Sequence, residues 1–207
     1  MLNIALPKGR LGKQVYELFA KVGYDCQSIY EDNRKLVVEN TANDIRYFLV
    51  KPSDVGIYVE HGAADIGVVG KDILLENEPD VYELLDLKLG RCRMVVTAPN
   101  DYFEDTDRTL RVATTFVNIA KKYYASQNRE ISIIKLHGSV ELAPLLGLSD
   151  VIVDIVESGK TAKENNLKIY REICPISARL IANKSSFKFK NERIRSMMDK
   201  LAEVLEK

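Results

Sequence analysis

The stretch Asp150-Val-Ile-Val-Asp-Ile-Val-Glu-Ser-Gly-Lys-Thr161 contains, in order, the three parts from which we expect this fold to be built. The largely apolar run 151–156 predicts a buried strand. Ser158 and Gly159 predict a tight turn, and Thr161 lies where a helix would begin. A strand, a glycine-containing turn and a helix in succession form the repeating unit of α/β proteins.

The same succession occurs twice in the first third of the chain. An apolar strand at 2–6 leads through Pro7-Lys-Gly-Arg10 into a helix whose apolar residues recur at helical spacing. A second apolar strand at 64–69 ends in Gly70, Lys71 and Asp72, after which we expect a short helix. The pattern predicts an α/β fold with mostly parallel sheets.

The rest of the chain continues this alternation. The predicted strands lie at 35–40 and 45–50, which would form a hairpin, and at 82–87, 91–98, 110–113, 131–136, 167–173 and 177–182. The predicted helices follow residues 51–54, span 115–126 and 139–146, run from Thr161 to about Asn166, and end the chain. A polar loop at 99–108 separates two series of strands and helices, which predicts two lobes with a cleft between them.

Composition and charge restrict the classes of function. The chain has 207 residues with 30 basic and 30 acidic side chains, so no bulk charge attracts nucleic acid or an anionic membrane. No run approaches the roughly 20 apolar residues of a membrane span, and the amino terminus does not resemble a signal peptide. We therefore expect a cytoplasmic protein. The three cysteines and two histidines lack the spacing of a metal site or a disulfide framework.

The turn that follows strand 151–156 has the chemistry of a phosphate site. The first amides of a helix have no partner within the helix, and the helix dipole places partial positive charge there. Gly159 permits close approach of the backbone, Lys160 adds charge, and an ionised Asp154 accepts hydrogen bonds from sugar hydroxyls or binds magnesium. A nucleotide P-loop would require a glycine at position 154, which is Asp. An ordinary helix cap by Ser158 remains an alternative.

The two other turns carry charges that also fit phosphate. Lys71 could meet a phosphate and Asp72 could accept from a base amine or a ribose, although Asp72 could instead cap the helix. Lys8 and Arg10 place two cations at a helix start, where the dipole favours anions. A bound polyphosphate would resolve that conflict, so the three turns together favour a polyanionic substrate.

Three motifs resemble one family of enzymes. The segment from Glu141 to Thr161, the opening Ala5-Leu-Pro-Lys-Gly-Arg-Leu11, and the run Gly62-Ala-Ala-Asp-Ile-Gly-Val-Val-Gly-Lys-Asp72 are similar to those of ATP phosphoribosyltransferases. The resemblance covers essentially the whole chain. One departure is Ala162, where the family usually has Leu or Met, and because the side chain stays apolar we expect only a packing adjustment.

The resemblance implies an activity and an architecture. The activity is transfer of the 5-phosphoribosyl group of phosphoribosyl pyrophosphate (PRPP) to N1 of ATP, with Mg²⁺, as the first step of histidine biosynthesis. The architecture is two lobes like those of periplasmic binding proteins, at 1–90 plus 175–207 and at 91–174, without a C-terminal regulatory domain. Such a chain resembles the short form, which works with a histidyl-tRNA-synthetase-like regulatory subunit in a hetero-oligomer.

The resemblance also implies roles for individual residues, with ATP and PRPP as the substrates. The expected PRPP-binding residues are Asp154, Glu157, Ser158, Gly159, Lys160, Thr161 and Ala162. The expected ATP-binding residues are Arg10, Gly70, Lys71 and Asp72. The expected catalytic residues are Lys8 and Arg10, which would stabilise charge on pyrophosphate, and Glu141, which would orient the adenine.

Two alternatives remain at this point. A non-catalytic two-lobed ligand-binding module would have the same fold. A phosphoribosyltransferase acting on a different base is the other alternative, but salvage enzymes of that kind usually have paired acidic residues before the loop. Here Asp154 and Glu157 are not adjacent.

Overall fold

The computed structural model describes residues 1–26, 29 and 35–206, which form two compact units. Unit 1 consists of Met1–Leu74, Glu78–Gly90 and Ser177–Lys207, and unit 2 consists of Leu75–Asn77 and Arg91–Ile176. The chain therefore leaves unit 1 and returns to it after completing unit 2. Among the described residues, no helix combines the length and apolarity that a bilayer crossing requires.

Unit 1 is built on a six-stranded sheet in the order β2-β3-β1-β4-β11-β5. Its strands are β1 (Leu2–Pro7), β2 (Val37–Asn40), β3 (Ile45–Val50), β4 (Ile66–Gly70), β5 (Tyr82–Asp86) and β11 (Ala178–Ala182). β1 lies between β3 and β4 and is parallel to both. β2 and β3 form the expected hairpin, joined through a 3₁₀ turn at Thr41–Asn43.

Helices cover both faces of this sheet. They are α1 (Arg10–Lys21), α2 (Val55–Glu60), α3 (Lys71–Asn77, whose last three residues belong to unit 2), α7 (Lys184–Phe189) and α8 (Asn191–Leu205). One core contains Val15 and Phe19 of α1 with Ile194 and Leu201 of α8. A second core, on the other face, contains Val55 and Val59 of α2. Alternate residues of β1 belong to the two cores, because successive side chains of a strand point to opposite faces.

Unit 2 is built on a five-stranded sheet in the order β10-β6-β9-β7-β8. Its strands are β6 (Cys92–Pro99), β7 (Leu110–Thr114), β8 (Ile131–Lys135), β9 (Val151–Val156) and β10 (Leu167–Ile176), and its helices are α4 (Val117–Ser126), α5 (Leu142–Leu145) and α6 (Lys160–Glu164). Val151 and Val153 of β9 pack in a large core with α4. Ile152, between them, packs on the other face with Val140 and Ala162.

The sheets differ from the sequence prediction in one important respect. Mostly parallel sheets were expected, and this is wrong: within the described part of the chain, only four of the nine strand pairs are parallel, and five are antiparallel. β6 and β11 are largely apolar, as parallel strands are, and β10 is mixed in character, so composition does not show the direction of any of the three. β6 and β10 enter unit 2 and leave it side by side, which makes them antiparallel.

Several elements also differ in length. The helix expected at 139–146 is reduced to α5, and α7 was not predicted at all. Pro144 removes one amide donor from the first of these, which shortens it. Asn183 caps the start of α7: its side chain accepts a hydrogen bond from the amide of Ser186, a cap that the sequence analysis missed.

Candidate active site

The turn between β9 and α6 has the conformation that its sequence requires. Gly159 lies in the left-handed region at φ 76°, where a residue with a Cβ is strained. The Ser158 hydroxyl accepts a long hydrogen bond of 3.4 Å from the amide of Lys160. Gly159 itself occupies the cap position of α6, and no side chain caps it. Ser158 therefore lies one residue before the cap position of α6, although its hydroxyl does contact the first amide of the helix.

This turn forms the wall of a cavity of about 210 Å³ within unit 2. The cavity brings together all seven residues expected to bind PRPP with the more distant Glu141. The lining residues are Thr97, Val140, Glu141, Ile152, Asp154, Ile155, Val156, Glu157, Ser158, Gly159, Lys160, Thr161 and Ala162. Ala162 is buried in the apolar layer beneath the turn. The amides in the first turn of a helix have no partner within it and are donors of the kind an anion requires, and in α6 the first of them has only the long contact with Ser158.

Carboxylates and a cation surround the same cavity. Asp154, half-buried, accepts a hydrogen bond of 2.8 Å from the amide of Ile155, and Glu157 is exposed. Lys160 lies 3.7 Å from Glu164, and both side chains are largely exposed. Among the described residues, no group of three or more His, Cys, Asp or Glu side chains could hold a metal ion. Asp154 and Glu157 are the carboxylates closest in the chain to this turn, and carboxylate oxygens are ligands of the kind that Mg²⁺ takes together with phosphates and water.

Thr97 of β6 is a cavity residue that the sequence analysis missed. Its side chain is 4% exposed and lies on the floor of the cavity, opposite Ile152 of β9 in the strand register. The available signal was weak: one threonine within the apolar strand expected at 91–98. Threonine is common in strands, so composition alone gave no reason to select it.

In unit 1, the turn between β1 and α1 carries the cations expected at a nucleotide site. Gly9 has φ 88° and ψ −156°, a combination that essentially only glycine adopts, and it directs the chain from β1 into α1. Lys8 and Arg10 are exposed, and no acidic residue lies in the first turn of the helix. These two cations therefore lie at the positive end of the helix dipole, a position that favours anions.

Close packing holds this turn against the sheet. A Cβ on Gly12 would lie 2.0 Å from the carbonyl oxygen of Pro7, so α1 approaches β1 more closely than any other residue type would allow. The sequence analysis did not identify Gly12. Its role depends on a contact between the helix and the end of the strand before it.

The turn between β4 and α3 lies at the same edge of the sheet. β1 and β4 are parallel neighbours, so the turns that follow them emerge side by side. A Cβ on Gly70 would lie 2.1 Å from the carboxylate of Asp72, which folds back over this glycine. Burial raises the pKa of Asp72, although hydrogen bonds from the amides of Asp72 and Ile73 act in the opposite direction. The cap position is Gly70, so Asp72 does not cap α3 as considered above.

Lys71 has a partner that the sequence did not indicate. Its ammonium donates a hydrogen bond of 2.5 Å to Glu83 of β5, and Glu83 also lies 3.5 Å from Arg179 of β11. The positive charge expected to meet a phosphate is thus balanced by a carboxylate in this structure. The structure places Lys71 at the expected turn but directs its side chain towards the edge strand.

The histidines and cysteines stand apart from these turns. The Nδ1 atom of His61 lies 3.1 Å from the carbonyl oxygen of Ile57 at the end of α2, which is the helix-end position expected from the sequence. His137 is exposed. Cys26, Cys92 and Cys174 are not joined in disulfides. None of these five residues lines the cavity of unit 2.

Comparison with known proteins identifies a single enzyme family. The family of ATP phosphoribosyltransferases (HisG) matches residues 51–203. An ATP phosphoribosyltransferase from Brachyspira hyodysenteriae is 63% identical over 206 residues, which are 99% of this chain and 100% of the relative. The solved ATP phosphoribosyl transferase (HisG:HisZ) complex from Thermotoga maritima matches with a TM-score of 0.87 and 41% identity, covering 100% of this chain and 99% of that one.

A more distant structure shows the fold alone. The periplasmic aliphatic sulphonate binding protein SsuA from Escherichia coli matches with a TM-score of 0.61 at 11% identity, covering 99% of this chain and 68% of that one. The predicted two-lobed α/β fold of the periplasmic-binding-protein kind is therefore confirmed.

Proposed function

The chain belongs to the ATP phosphoribosyltransferase family, and we propose that its β9–α6 turn holds the ribose and 5-phosphate of PRPP. The reaction transfers the 5-phosphoribosyl group of PRPP to N1 of ATP and releases pyrophosphate, as the first step of histidine biosynthesis. The observation that carries our placement is the cavity in unit 2, whose wall contains Asp154, Glu157, Ser158, Gly159, Lys160, Thr161 and Ala162.

Different residues of the cavity would bind the 5-phosphate and the ribose of PRPP. The amides at the start of α6, the hydroxyls of Ser158 and Thr161 and the ammonium of Lys160 are donors for the 5-phosphate. Asp154 lies in β9, before the turn, and its carboxylate is an acceptor for the ribose hydroxyls. Glu141, on the same cavity, would orient the adenine as it approaches C1 of the ribose.

ATP would bind at the two turns of unit 1. Lys8, Arg10, Gly70, Lys71 and Asp72 lie at one edge of the sheet, where parallel strands β1 and β4 end. Lys8 and Arg10 supply positive charge for phosphate oxygens, including those of the leaving pyrophosphate. Lys71 contributes to this only if a phosphate competes with Glu83 for its ammonium.

Catalysis then depends on position and charge rather than on a covalent intermediate. N1 of adenine forms a bond to C1 of the ribose while the bond from C1 to the pyrophosphate oxygen breaks. Holding both substrates in this geometry supplies up to about 7–11 kcal/mol. Magnesium, when bound, neutralises charge on the pyrophosphate. Asp154 and Glu157 are the cavity carboxylates that would hold it together with phosphate oxygens and water.

The proposal extends to the lobes and to a partner. The division into two compact units supports lobes at 1–90 plus 175–207 and at 91–174. The similarity to the HisG:HisZ complex of Thermotoga maritima supports a regulatory subunit, which we expect to be histidyl-tRNA-synthetase-like and to form a hetero-oligomer with this chain. Neither nucleic acid nor a membrane is expected as a partner, and the cytoplasmic location stays a prediction. The non-catalytic alternative is not favoured, since the curated relatives are transferases.

The test is a product assay with two arms. The purified chain is incubated with ATP, PRPP and Mg²⁺, with pyrophosphatase present to remove the pyrophosphate, and mass spectrometry detects phosphoribosyl-ATP. One arm contains the candidate regulatory subunit and the other omits it. Product that depends on the subunit supports the hetero-oligomer. Absence of product in both arms, with the complex shown to form, would contradict the proposal.

A further inference from the structure

Thr97 is a buried polar side chain with an unusual environment. It is 4% exposed, and the cavity that it lines is also lined by Val140, Ile152 and Ala162, which are all buried and aliphatic. None of the hydrogen bonds found within the described part of the chain involves its hydroxyl. The hydroxyl is not one of the fully buried polar atoms that lack a partner, so it reaches the surface of the cavity, where a bound molecule can supply its hydrogen bond.

A second buried threonine in the same sheet, Thr114, has a hydroxyl whose hydrogen bonds are made within the protein. Thr114, at the end of β7, is 0% exposed. Its hydroxyl donates a 2.7 Å hydrogen bond to the carbonyl of Val153 and accepts one of 2.8 Å from the amide of Phe116. Thr114 therefore fixes the strand and the turn after it. Thr97 makes no comparable contribution, although it is similarly buried.

The strand register places Thr97 beside the proposed ribose site. Thr97 lies opposite Ile152, and Val95 lies opposite Asp154, on antiparallel neighbours β6 and β9. Thr97 and Asp154 are therefore diagonal neighbours that point to the same face of the sheet, with their Cα atoms roughly 7–8 Å apart. A carboxylate only accepts hydrogen bonds, whereas a threonine hydroxyl both donates and accepts. The two side chains are complementary to a pair of sugar hydroxyls.

We infer that Thr97 is a further PRPP-binding residue, whose hydroxyl forms a hydrogen bond with the ribose hydroxyls that Asp154 also contacts. This inference rests on the proposed placement of PRPP at the β9–α6 turn. A bound ribose would provide the partner that the chain itself does not provide. The floor of the cavity would then recognise the sugar, while the turn above it binds the phosphate.

The test compares Thr97→Val with Thr97→Ser in the form in which the wild-type chain is active. Valine keeps the shape of the side chain and removes the hydroxyl, so we expect the KM for PRPP to rise about tenfold, or about 1.4 kcal/mol. The KM for ATP and the melting temperature should stay at wild-type values, because no internal hydrogen bond is lost. Serine restores the hydroxyl and should bring the KM for PRPP back to within about threefold.

Thr114→Val is the matched control, since it removes a buried hydroxyl that has two partners. We expect a lower melting temperature without a selective rise in the KM for PRPP. The inference is overturned if Thr97→Val leaves the KM for PRPP unchanged, or if it lowers stability as Thr114→Val does while affecting both substrates equally. Gly159→Val separates the two proposals: if it too leaves PRPP binding unchanged, the placement at the turn is wrong, and if only Thr97→Val is silent, the turn stands without Thr97.

Discussion

Replacing Gly159 with Ala tests whether the turn after β9 binds a phosphate. At this position a Cβ would lie 3.7 Å from Ile169 and 3.8 Å from Val156, which are ordinary contacts. The cost therefore comes from the backbone alone, whose φ of 76° is unfavourable for alanine by about 1–2 kcal/mol. For a chain of this length that corresponds to a fall in melting temperature of about 2–8 °C.

Gly147 provides a control with the same strain and no cavity. Its φ is 68°, nothing lies within 4 Å of a Cβ built there, and it does not line the cavity. Gly147→Ala should therefore lower the melting temperature by a similar amount. Both variants remain folded, so their kinetics can be compared directly.

The two variants should differ in their affinity for PRPP. Relief of strain at Gly159 rotates the amides that we assign to the 5-phosphate, so the KM for PRPP should rise about tenfold in Gly159→Ala, which corresponds to the loss of one charge-assisted hydrogen bond. Gly147→Ala should leave it unchanged, and the KM for ATP should be unaffected in both. Steady-state kinetics and thermal melting measure these quantities. Equal values of the KM for PRPP in the two variants would refute the phosphate placement.

Three further predictions follow from other contacts. Gly12→Ala should destabilise unit 1 by about 1–3 kcal/mol in denaturant unfolding, because its Cβ would lie 2.0 Å from the Pro7 carbonyl oxygen; wild-type stability would mean that α1 can shift freely. Asp150→Asn should lower the free energy of unfolding by about 2–3 kcal/mol at pH 7, because the charged hydrogen bonds from Arg111 are lost. Burial raises the pKa of Asp150, but the hydrogen bonds from Arg111 and the charges of Arg111 and Arg108 outweigh burial, so the pKa lies below its ordinary value. A depressed folded-state pKa gives stability that is present above the unfolded value and is lost as the pH falls through the folded value, so the two proteins should converge in acid unfolding; a difference independent of pH would contradict this. Lys8→Ala should raise the KM for ATP or slow turnover without changing the melting temperature, since Lys8 is exposed, and Lys13→Ala, on the solvent side of the same helix start, is its control.

The local units of this fold were determined by the sequence itself. Apolar strands, glycine turns and amphipathic helices predicted β1 with α1, β4 with α3, and β9 with α6, because each unit depends on contacts between residues close in the chain. The positive φ of Gly9 and Gly159 belongs to the same category, since only glycine adopts such conformations without strain. Because these turns are local, the sequence also predicted which charged residues they carry.

The tertiary structure alone determined the direction of the strands and the neighbours of individual residues. The antiparallel direction of β6, β10 and β11 depends on where the chain enters and leaves each sheet, and the composition of these strands does not encode it. The ion pair between Lys71 and Glu83 depends on the position of β5 in the sheet, which the composition of the chain does not predict. Thr97 lies on the cavity floor because the register between β6 and β9 places it opposite Ile152. Position 12 requires glycine because α1 packs directly against the carbonyl oxygen of Pro7. Local propensity selects a residue's conformation, whereas pairing and packing between distant segments select its neighbours.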